Sequence, residues 1–389
     1  MDAISPLPPL SLYVHMPWCV RKCPYCDFNS HALTGTLPAD RYLDALLGDL
    51  EYALAESGDR LVETVFFGGG TPSLFPAEKI GRVLERLRSG GRLAPSAEIT
   101  LEANPGTVER HSFAELAAAG VTRISLGAQS FDRALLRALG RIHGPAETRR
   151  AAEELHAAGL SNFNIDLMFA LPGQQAEGAL ADIAAALALA PAHISHYQLT
   201  IEPLTAFHRH PPVLPADDLA WAMQSSCQSA LADAGFRQYE VSAFASKGRQ
   251  CRHNLNYWEY GDYLGIGAGA HGKLSSGNGT ITRLRKRSHP SRYMREAGTD
   301  QALAERAVIG PDERVFEFML NALRLRDGFH LSLFEGRTGL SSAAVLPTLA
   351  LAGERGLAVE AAQTWRASEV GWRFLNDLQA LFLPEGLAA

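Results

Sequence analysis

Long apolar runs, basic charge and cysteine are all scarce in this chain of 389 residues. No uncharged apolar run reaches about 18 residues, so no transmembrane segment is expected. The 36 Lys and Arg are outnumbered by 42 Asp and Glu, and this argues against a protein held on nucleic acid by bulk charge. The opening stretch MDAISPLPPLSLYVHM has neither the basic start nor the apolar core of a signal peptide. We therefore expect a cytoplasmic protein.

The five cysteines are too few for a disulfide-held fold, since such folds are small, cysteine-dense and secreted. Three of them, Cys19, Cys23 and Cys26, share the spacing C-x3-C-x2-C, which in a reducing compartment indicates metal or redox chemistry. Iron–sulfur clusters are held by thiolates, usually four, so three would leave one iron open to a substrate or cofactor atom. Two alternatives remain: a zinc site completed by His15 or His31, and three unligated core cysteines.

Short β-rich runs alternate with helical stretches over the first half of the chain. Strands are expected at 11–16, 62–67, 97–102, 122–127, 162–169 and 193–200. Helices are expected near 39–56, 77–89, 108–119, 132–139, 146–158 and 175–190. Thr107 is predicted to cap the third of these helices. The alternation favours parallel strands joined by helical crossovers, in either a doubly wound sheet or a barrel, with the active site in the loops after the strands.

The rest of the chain divides at two changes of pattern. PPVLP ends the alternation, and a Gly- and aromatic-rich stretch follows it. From about Pro311 the sequence predicts short helices, with a strand or two near 356–373. We therefore expect three segments. They are 1–205 with the repeats, 206–310 as an extension of that unit, and 311–389 as a small, mainly helical, winged-helix-like domain.

The segment YVHMPWCVRKCPYC resembles the signature of the radical S-adenosylmethionine (SAM) proteins. The resemblance implies a 4Fe-4S cluster that Cys19, Cys23 and Cys26 hold and that chelates SAM. It also implies an α/β fold, a partial (β/α)6 barrel open on one side. Such proteins reduce SAM to methionine and a 5′-deoxyadenosyl radical, and Tyr25 matches the family's residue beside the adenine.

Other motifs at the expected strand ends match SAM contacts of the same family. Three glycines in FFGGGTPSLF would let the backbone approach a ligand and leave amide groups free to bind it. An acid beside a ribose can accept hydrogen bonds from both hydroxyls, and an arginine can pair with a carboxylate. Four polar residues at these strand ends have an alternative role, in a structural salt bridge or a solvated loop: Glu102, Gln129, Arg141 and Asp166. The resemblance implies SAM contacts at Tyr13, Tyr25, Gly69, Gly70, Thr71, Glu102, Gln129, Arg141 and Asp166.

Several motifs together narrow the resemblance to the group around oxygen-independent coproporphyrinogen oxidase. They are HMPWC, GGGTPS, EANP, SLGAQSF, DLMFALPGQ and HNLNYW, and they span nearly the whole chain. The true oxidases have a fourth cysteine two places after the third, and a longer N-terminal extension. Here Phe28 stands at that position, and only ten residues precede the first strand. CDFNSH and HNLNYW resemble instead the haem chaperones of this group, the HemW proteins.

In those chaperones HNLNYW is associated with haem, so His253, Tyr257 and Trp258 are haem-binding candidates by resemblance. Imidazole is an axial ligand of haem iron, and the two aromatic rings could pack on the macrocycle. The alternative is a polar loop with two core aromatics. Cys251 is a minor alternative ligand, and His271 is expected to be an ordinary loop histidine.

Two functions stay open. The leading one is a haem chaperone that passes haem to membrane haemoproteins such as respiratory enzymes, with the cluster and SAM in a structural or regulatory role, including formation of a homodimer. The alternative is a radical SAM enzyme that oxidatively decarboxylates porphyrinogen propionates. A passive iron–sulfur electron carrier would explain neither the SAM-type residues nor the barrel. The basic run at 283–289 could meet haem propionates or a protein partner, or form a solvated face.

Overall fold

The computed structural model describes residues 4–106 and 112–384, and strands and helices alternate through most of them. The strands are β1 (Leu10–Met16), β2 (Trp18–Cys19), β3 (His31–Ala32), β4 (Val62–Gly69), β5 (Leu93–Ala103), β6 (Arg123–Gln129), β7 (Phe163–Phe169), β8 (His193–Gln198), β9 (Arg237–Glu240), β10 (Ala243–Ala245), β11 (Asp262–Ile266), β12 (His271–Ser275), β13 (Ile281–Lys286), β14 (Leu303–Val308), β15 (Phe329–His330), β16 (Ala358–Ala361) and β17 (Thr364–Ala367). The helices are α1 (Ala39–Glu56), α2 (Ala77–Ser89), α3 (Phe113–Ala119), α4 (Arg133–Ala138), α5 (Pro145–Ala157), α6 (Ala176–Leu187), α7 (Ala206–Arg209), α8 (Asp217–Asp233), α9 (Arg252–Trp258), α10 (Pro290–Glu296), α11 (Pro311–Ala322), α12 (Leu331–Thr338), α13 (Leu346–Glu354), α14 (Glu369–Arg373) and α15 (Leu375–Ala380). None of the helices in these two ranges combines the length and the apolar character needed to cross a bilayer.

The centre of the fold is a run of six parallel strands, β1, β4, β5, β6, β7 and β8, which are neighbours in chain order. A doubly wound sheet would reverse its strand order at a switch point, and this one does not. The predicted partial (β/α)6 barrel is therefore confirmed. Within the described residues the sheet ends at β14 on one side and β9 on the other, so the barrel is open.

The sheet is larger than the sequence indicated, because both sides of the barrel are extended. Strand β11 joins β1 in parallel, and β12, β13 and β14 continue from it antiparallel. On the other side β10 and β9 follow β8 antiparallel. The short polar–apolar alternation of ITRLRK in β13 is the signal that could have predicted part of this extension.

The helices cover the barrel through apolar faces at helical spacing. In α2, Ile80, Val83, Leu84 and Leu87 are buried in the main core, as the 3.6-residue period requires. Helix α3 begins later than expected, because Ser112 and Glu115 form a capping box at its start. The residue predicted to cap it, Thr107, lies outside the described residues.

The C-terminal segment has its own core, as expected for a mainly helical domain. Helices α11 to α15 and the three-stranded sheet β15-β17-β16 pack around Phe318 and Phe334. Tyr260 and Ile281, which precede this segment in the chain, belong to the same apolar cluster. The segment is therefore packed directly against the extended side of the barrel sheet.

Candidate functional site

The three cysteines of C-x3-C-x2-C line one cavity of about 370 Å³ at the carboxyl ends of the parallel strands, here called the cysteine cavity. This is the edge where barrels of this kind place ligand sites. Almost all of the residues predicted to bind the cluster and SAM lie in its wall. They are Cys19, Cys23, Cys26, Tyr25, Gly69, Gly70, Thr71, Glu102, Gln129, Arg141 and Asp166.

The cysteine thiols lie in a partly enclosed, polar setting. Cys26 donates its backbone amide to the carbonyl of Cys23 at 3.2 Å, and its sulfur is 3.7 Å from the Ser30 hydroxyl oxygen. Burial raises the pKa of both the Cys19 and the Cys26 thiol, while nearby hydroxyl groups oppose that shift. Thiols with raised pKa values lose their protons when a metal binds, so this set of three sulfur donors fits an iron–sulfur cluster.

The two histidines that could have completed a zinc site are engaged elsewhere. The ring nitrogens of His15 lie 3.1 Å from the Tyr13 hydroxyl and 2.9 Å from the carbonyl oxygen of Asn29. In His31, Nε2 lies 3.3 Å from Asn29 Oδ1. Across residues 4–106 and 112–384, no three His, Cys, Asp or Glu side chains are gathered around one point suited to a single metal ion. A histidine that completed a zinc site would have to give up hydrogen bonds that it makes here.

The last residue of β4 and the residue after it must both be glycine, because the cysteine loop approaches them closely. Gly69 has a φ of +113°, and a Cβ there would lie 2.5 Å from the His15 ring. A Cβ on Gly70 would lie 2.6 Å from the carbonyl oxygen of Trp18. Any larger residue at either position would push the loop that carries the cysteines away from the barrel.

The amides of this glycine segment are not free, and the expectation that they would be was wrong. Gly70 and Thr71 donate to backbone carbonyls at the end of β1 and in β2, at 2.7 and 2.8 Å. Gly69 donates to Glu102 Oε2 at 3.0 Å. The segment therefore holds the cysteine loop and an acidic side chain in place.

Two carboxyl groups from β5 and β7 face the cysteine cavity. Asp166 accepts hydrogen bonds from the Ser125 hydroxyl at 3.0 Å and from Asn164 Nδ2 at 2.8 Å. Burial raises the pKa of Asp166, and burial together with the charge of Asp166 raises the pKa of Glu102 to about 7. Such acceptors suit a ligand that carries hydroxyl donors or positive charge, and SAM has both.

Arg141 and Gln129 are also fixed by contacts around this cavity. Arg141 Nη2 donates to the carbonyl of Gly127 at 2.7 Å, and Nη1 lies 3.7 Å from Cys23 Sγ. Gln129 holds a left-handed φ of +70° at the end of β6, and its Oε1 accepts from the Tyr197 hydroxyl at 2.8 Å. Strained backbone in a non-glycine residue is common where a side chain must be aimed at a ligand.

The sequence analysis missed several polar residues in this wall. Asn104 follows Glu102 in the EANP motif, so its position two places further along could have indicated it. Ser125 begins SLGAQSF and Asn254 is the second residue of HNLNYW, so these motifs could have indicated both. The others come from strand interiors or from distant parts of the chain, outside the motifs named above. They are Ser195, Tyr197, Glu240, Ser242 and Arg324.

The HNLNYW motif forms helix α9 and packs against the barrel strands. The His253 side chain is buried, with Nδ1 2.7 Å from the Thr64 hydroxyl and Nε2 3.1 Å from the Tyr257 hydroxyl. Burial lowers the pKa of His253 to about 3, so its ring is neutral. The alternative of a polar loop was wrong, since the segment is helical. A haem iron could reach His253 only if one of these two hydrogen bonds were broken.

The other two haem-binding candidates in the motif, Tyr257 and Trp258, line cavities. Trp258 lies in the wall of the cysteine cavity, and the Arg324 guanidinium stacks 4.3 Å from its ring centre. The Trp258 indole N–H is buried and has no hydrogen-bonding partner among the described residues. Tyr257 lines a neighbouring cavity of about 350 Å³.

Tyr13, predicted as a SAM contact, lies in that neighbouring cavity rather than in the cysteine cavity. Gly69, Glu102 and Phe28 line both, so the two cavities share one wall. Phe28, one of these three shared residues, is 60% exposed. An apolar ring therefore stands open to solvent at the mouth of both cavities.

Comparisons with known proteins identify the family of this chain. The model of the Radical SAM superfamily matches residues 13–184, and that of the HemN C-terminal domain matches residues 309–374. The heme chaperone HemW of Escherichia coli is 48% identical over 379 residues, which cover 97% of this chain and 99% of that protein. This chain belongs to the HemW family. The HemW of Haemophilus influenzae is also 48% identical, over 97% of this chain and 99% of that relative.

This chain also shares its fold with a protein of known structure. Coproporphyrinogen III oxidase (HemN) of Escherichia coli superposes with a TM-score of 0.81 at 22% identity, over 98% of this chain and 91% of that one. At this level of identity the likeness demonstrates a common fold. It does not carry the oxidase activity over to this member of the HemW family.

Proposed function

We propose that this protein binds haem and delivers it to membrane haemoproteins such as respiratory enzymes, working in the cytoplasm. The observation that carries the proposal is the 48% identity, over nearly the full length of both chains, to relatives named heme chaperones. Phe28 supports it, because the fourth cysteine of the true oxidases is replaced by an exposed apolar ring. A homodimer is part of the same proposal.

The proposal includes a 4Fe-4S cluster on Cys19, Cys23 and Cys26, with SAM beside it. When bound, this pair would supply one-electron chemistry, here in the service of haem loading or release. The protein's own part is to hold three soft sulfur donors at one cavity, and to present Glu102 and Asp166 as acceptors for ligand hydroxyls. The proposed SAM contacts remain Tyr13, Tyr25, Gly69, Gly70, Thr71, Glu102, Gln129, Arg141 and Asp166.

The haem contacts of the proposal are those of the HNLNYW motif, His253, Tyr257 and Trp258. Its domain division is 1–205 for the barrel, 206–310 for the extension that carries this motif, and 311–389 for the C-terminal domain. In this division the motif lies between the SAM-binding barrel and the C-terminal domain. A substitution in either of these two domains would then alter haem binding.

The test is anaerobic reconstitution of the cluster followed by titration with haemin, with and without SAM. We expect about one haemin per chain, seen as a shifted Soret band, and transfer of that haemin to an apo-haemoprotein in a second step. A chain that carries its cluster yet leaves the haemin spectrum unchanged at micromolar concentrations would refute the chaperone role.

The nearly complete set of SAM-type residues in the cysteine cavity favours a second candidate, a radical SAM enzyme acting on porphyrinogen propionates. Anaerobic incubation with coproporphyrinogen III, SAM and a reductant would then yield protoporphyrinogen. A yield no higher than that of a control without protein would leave the chaperone proposal alone. Formation of 5′-deoxyadenosine without porphyrin product would instead indicate an enzyme with another substrate.

A further inference from the structure

Two cavities adjoin on the side of α9 that faces the extended sheet. The first is the cavity of about 350 Å³ with Tyr13, Phe28 and His271 in its wall. The second, of about 270 Å³, is lined by residues that include Arg283. Tyr257 and Tyr263 line both, and their rings meet edge to face with centres 4.6 Å apart. These two cavities are called the tyrosine groove below.

One histidine faces this groove without a hydrogen-bonding partner in the part of the chain that the structure describes. Both ring nitrogens of His15 are bonded, to Tyr13 and to the Asn29 carbonyl, and both of His253 are bonded, to Thr64 and Tyr257. The His271 side chain is exposed, and no described residue makes a hydrogen bond to its imidazole. Of these three imidazoles, His271 alone can therefore take an iron without first losing a contact within the protein.

The sheet register sets His271 on the face that carries the groove. Tyr263 pairs with Lys273, and His271 lies two residues before Lys273, so their side chains project from the same face. His271 pairs directly with Arg285 across β12 and β13. The imidazole therefore lies in the wall of the groove, with the Arg285 guanidinium as its cross-strand neighbour just outside the lining residues.

The charged groups around His271 suit an anionic, metal-bearing ligand. They are Arg285, Arg283 and Glu305, with His15 also near. Partial burial and the two arginines lower the pKa of His271, which keeps its ring neutral and able to bind a metal. Arg285 is joined to Glu305 at 3.1 Å, in an ion pair whose side chains are about half exposed. Because exposed pairs are weak, Arg285 can exchange Glu305 for a carboxylate of a ligand.

We infer that haem binds in the tyrosine groove with its iron on His271, and that His253 is a positioning residue that holds Tyr257 in the wall. This assignment rests on the proposed function. Haem is a flat apolar macrocycle with two carboxylates and an iron that can take a protein ligand. The groove offers a partner for each of these three features. Phe28, Tyr257 and Tyr263 offer aromatic surface, Arg285 offers a cation at the edge, and His271 offers the iron ligand.

The groove also explains how the HNLNYW motif can matter for haem although its histidine is buried. Tyr257 is held by His253 on one side and faces the groove on the other. Loss of His253 would therefore disturb the groove without removing a ligand to iron. The groove also shares Gly69 and Glu102 with the cysteine cavity, so haem would lie directly beside the proposed SAM site.

The test compares haemin binding to the full-length, cluster-loaded protein and to three variants, His271→Ala, His253→Gln and His210→Ala. His210 is an exposed histidine just after α7 and serves as the matched control. We expect His271→Ala to weaken haemin binding by about tenfold or more, because the iron loses its protein ligand. Its Soret and electron paramagnetic resonance spectra should change, and added imidazole should restore them.

The outcomes separate this assignment from the proposed function. His253→Gln and His210→Ala should keep the spectrum of the unaltered protein, with a moderate loss of affinity at most for His253→Gln. If His271→Ala binds haemin with an unchanged spectrum while His253→Gln or a Tyr257→Phe variant loses it, the ligand assignment is overturned and the chaperone role stands. If the unaltered protein itself binds no haemin, both are overturned together.

Discussion

The guanidinium of Arg141 reaches the cysteine loop from the other side of the cavity, with Nη1 3.7 Å from Cys23 Sγ. The same side chain is anchored to the carbonyl of Gly127 at 2.7 Å, so its position is set by the end of β6. The fold therefore holds a cationic hydrogen-bond donor in a fixed position against the Cys23 sulfur.

Replacement of Cys23 by Ser should abolish the brown colour of the reconstituted protein and weaken SAM binding. Two thiolates cannot hold a cubane that needs at least three protein ligands when SAM supplies the fourth position. The measurement is iron and sulfide content together with visible absorbance. Cys227→Ser is the control, because Cys227 is buried in α8 outside the cysteine cavity. Retention of both colour and SAM binding by Cys23→Ser would show that the motif has been misassigned.

Much of the barrel could be predicted from the sequence, because each of its strands and helices carries a complete local pattern. β1, β4 and β7 were located to within two residues at each end, since each is an apolar run followed by turn residues. The added strands β9 to β14 were not, because each is short and its pairing depends on residues far along the chain. Long-range pairing has no local signature.

The residues of the candidate site also fall into two groups, those that a sequence motif indicates and those that only the fold brings together. The cysteines, the glycine segment and Glu102 occur in motifs, so spacing alone could indicate them. Arg324 reaches the cavity only because the C-terminal segment packs back onto the barrel, and no pattern around it shows this. The burial of His253 was also beyond the sequence, since a polar motif rich in His and Asn is typical of a surface loop.

Glu102→Gln should weaken SAM binding by about tenfold and remove most of its dependence on pH. Burial raises the pKa of Glu102 to about 7, with the Asp166 charge as a second cause. The carboxylate accepts hydrogen bonds from ligand hydroxyls better than the protonated acid, so SAM affinity of the unaltered protein should rise as the pH passes upward through about 7.

Equilibrium binding of SAM between pH 6 and 8.5 (a range chosen to span roughly one unit or more around that pKa) measures this effect. Glu177→Gln, at an exposed position in the first turn of α6, is the matched control and should titrate like the unaltered protein. An equally steep pH dependence in Glu102→Gln would assign the titration to another group, with Asp166 the first to examine.

His253→Gln should make the protein less sensitive to acid. Burial lowers the pKa of His253 to about 3, below that of a histidine in an unfolded chain. Between pH 3 and 6.5 the unfolded chain therefore binds a proton that the folded chain does not, and the free energy of unfolding falls as the pH falls (the lower limit is the folded pKa). By pH 5 this one group should cost about 2 kcal/mol relative to neutral pH.

Urea unfolding of the two proteins at pH 7 and pH 5 isolates that contribution. Glutamine can bridge Thr64 and Tyr257 but has no charge to gain, so the loss of stability on acidification should be smaller in the variant. His193, His196 and His143 are also buried with lowered pKa values, and they keep some acid sensitivity in both proteins. Identical losses in the two proteins would mean that His253 is protonated without cost in the folded state.

Arg314→Met should release the C-terminal segment from the barrel sheet. The Arg314 guanidinium is buried and donates to the carbonyls of Ile309 at 2.9 Å, Gly279 at 2.8 Å and Thr338 at 3.1 Å. These carbonyls come from the end of the β-sheet extension and from α12, so one side chain joins the two units. Methionine fills similar space but leaves three buried carbonyls without donors, which should lower the free energy of unfolding by about 3–5 kcal/mol.

The measurement is urea unfolding combined with limited proteolysis of the linker before Pro311. Arg355→Met, at an exposed arginine after α13, is the control and should change the free energy of unfolding by less than about 0.5 kcal/mol. We expect faster cleavage near Ile309 in Arg314→Met alone, and weaker haemin binding with it, because Arg283 at the groove is held by Glu317 of the same helix. A variant as stable and as protease-resistant as the control would mean that the apolar cluster around Phe318 is enough to hold the two units together.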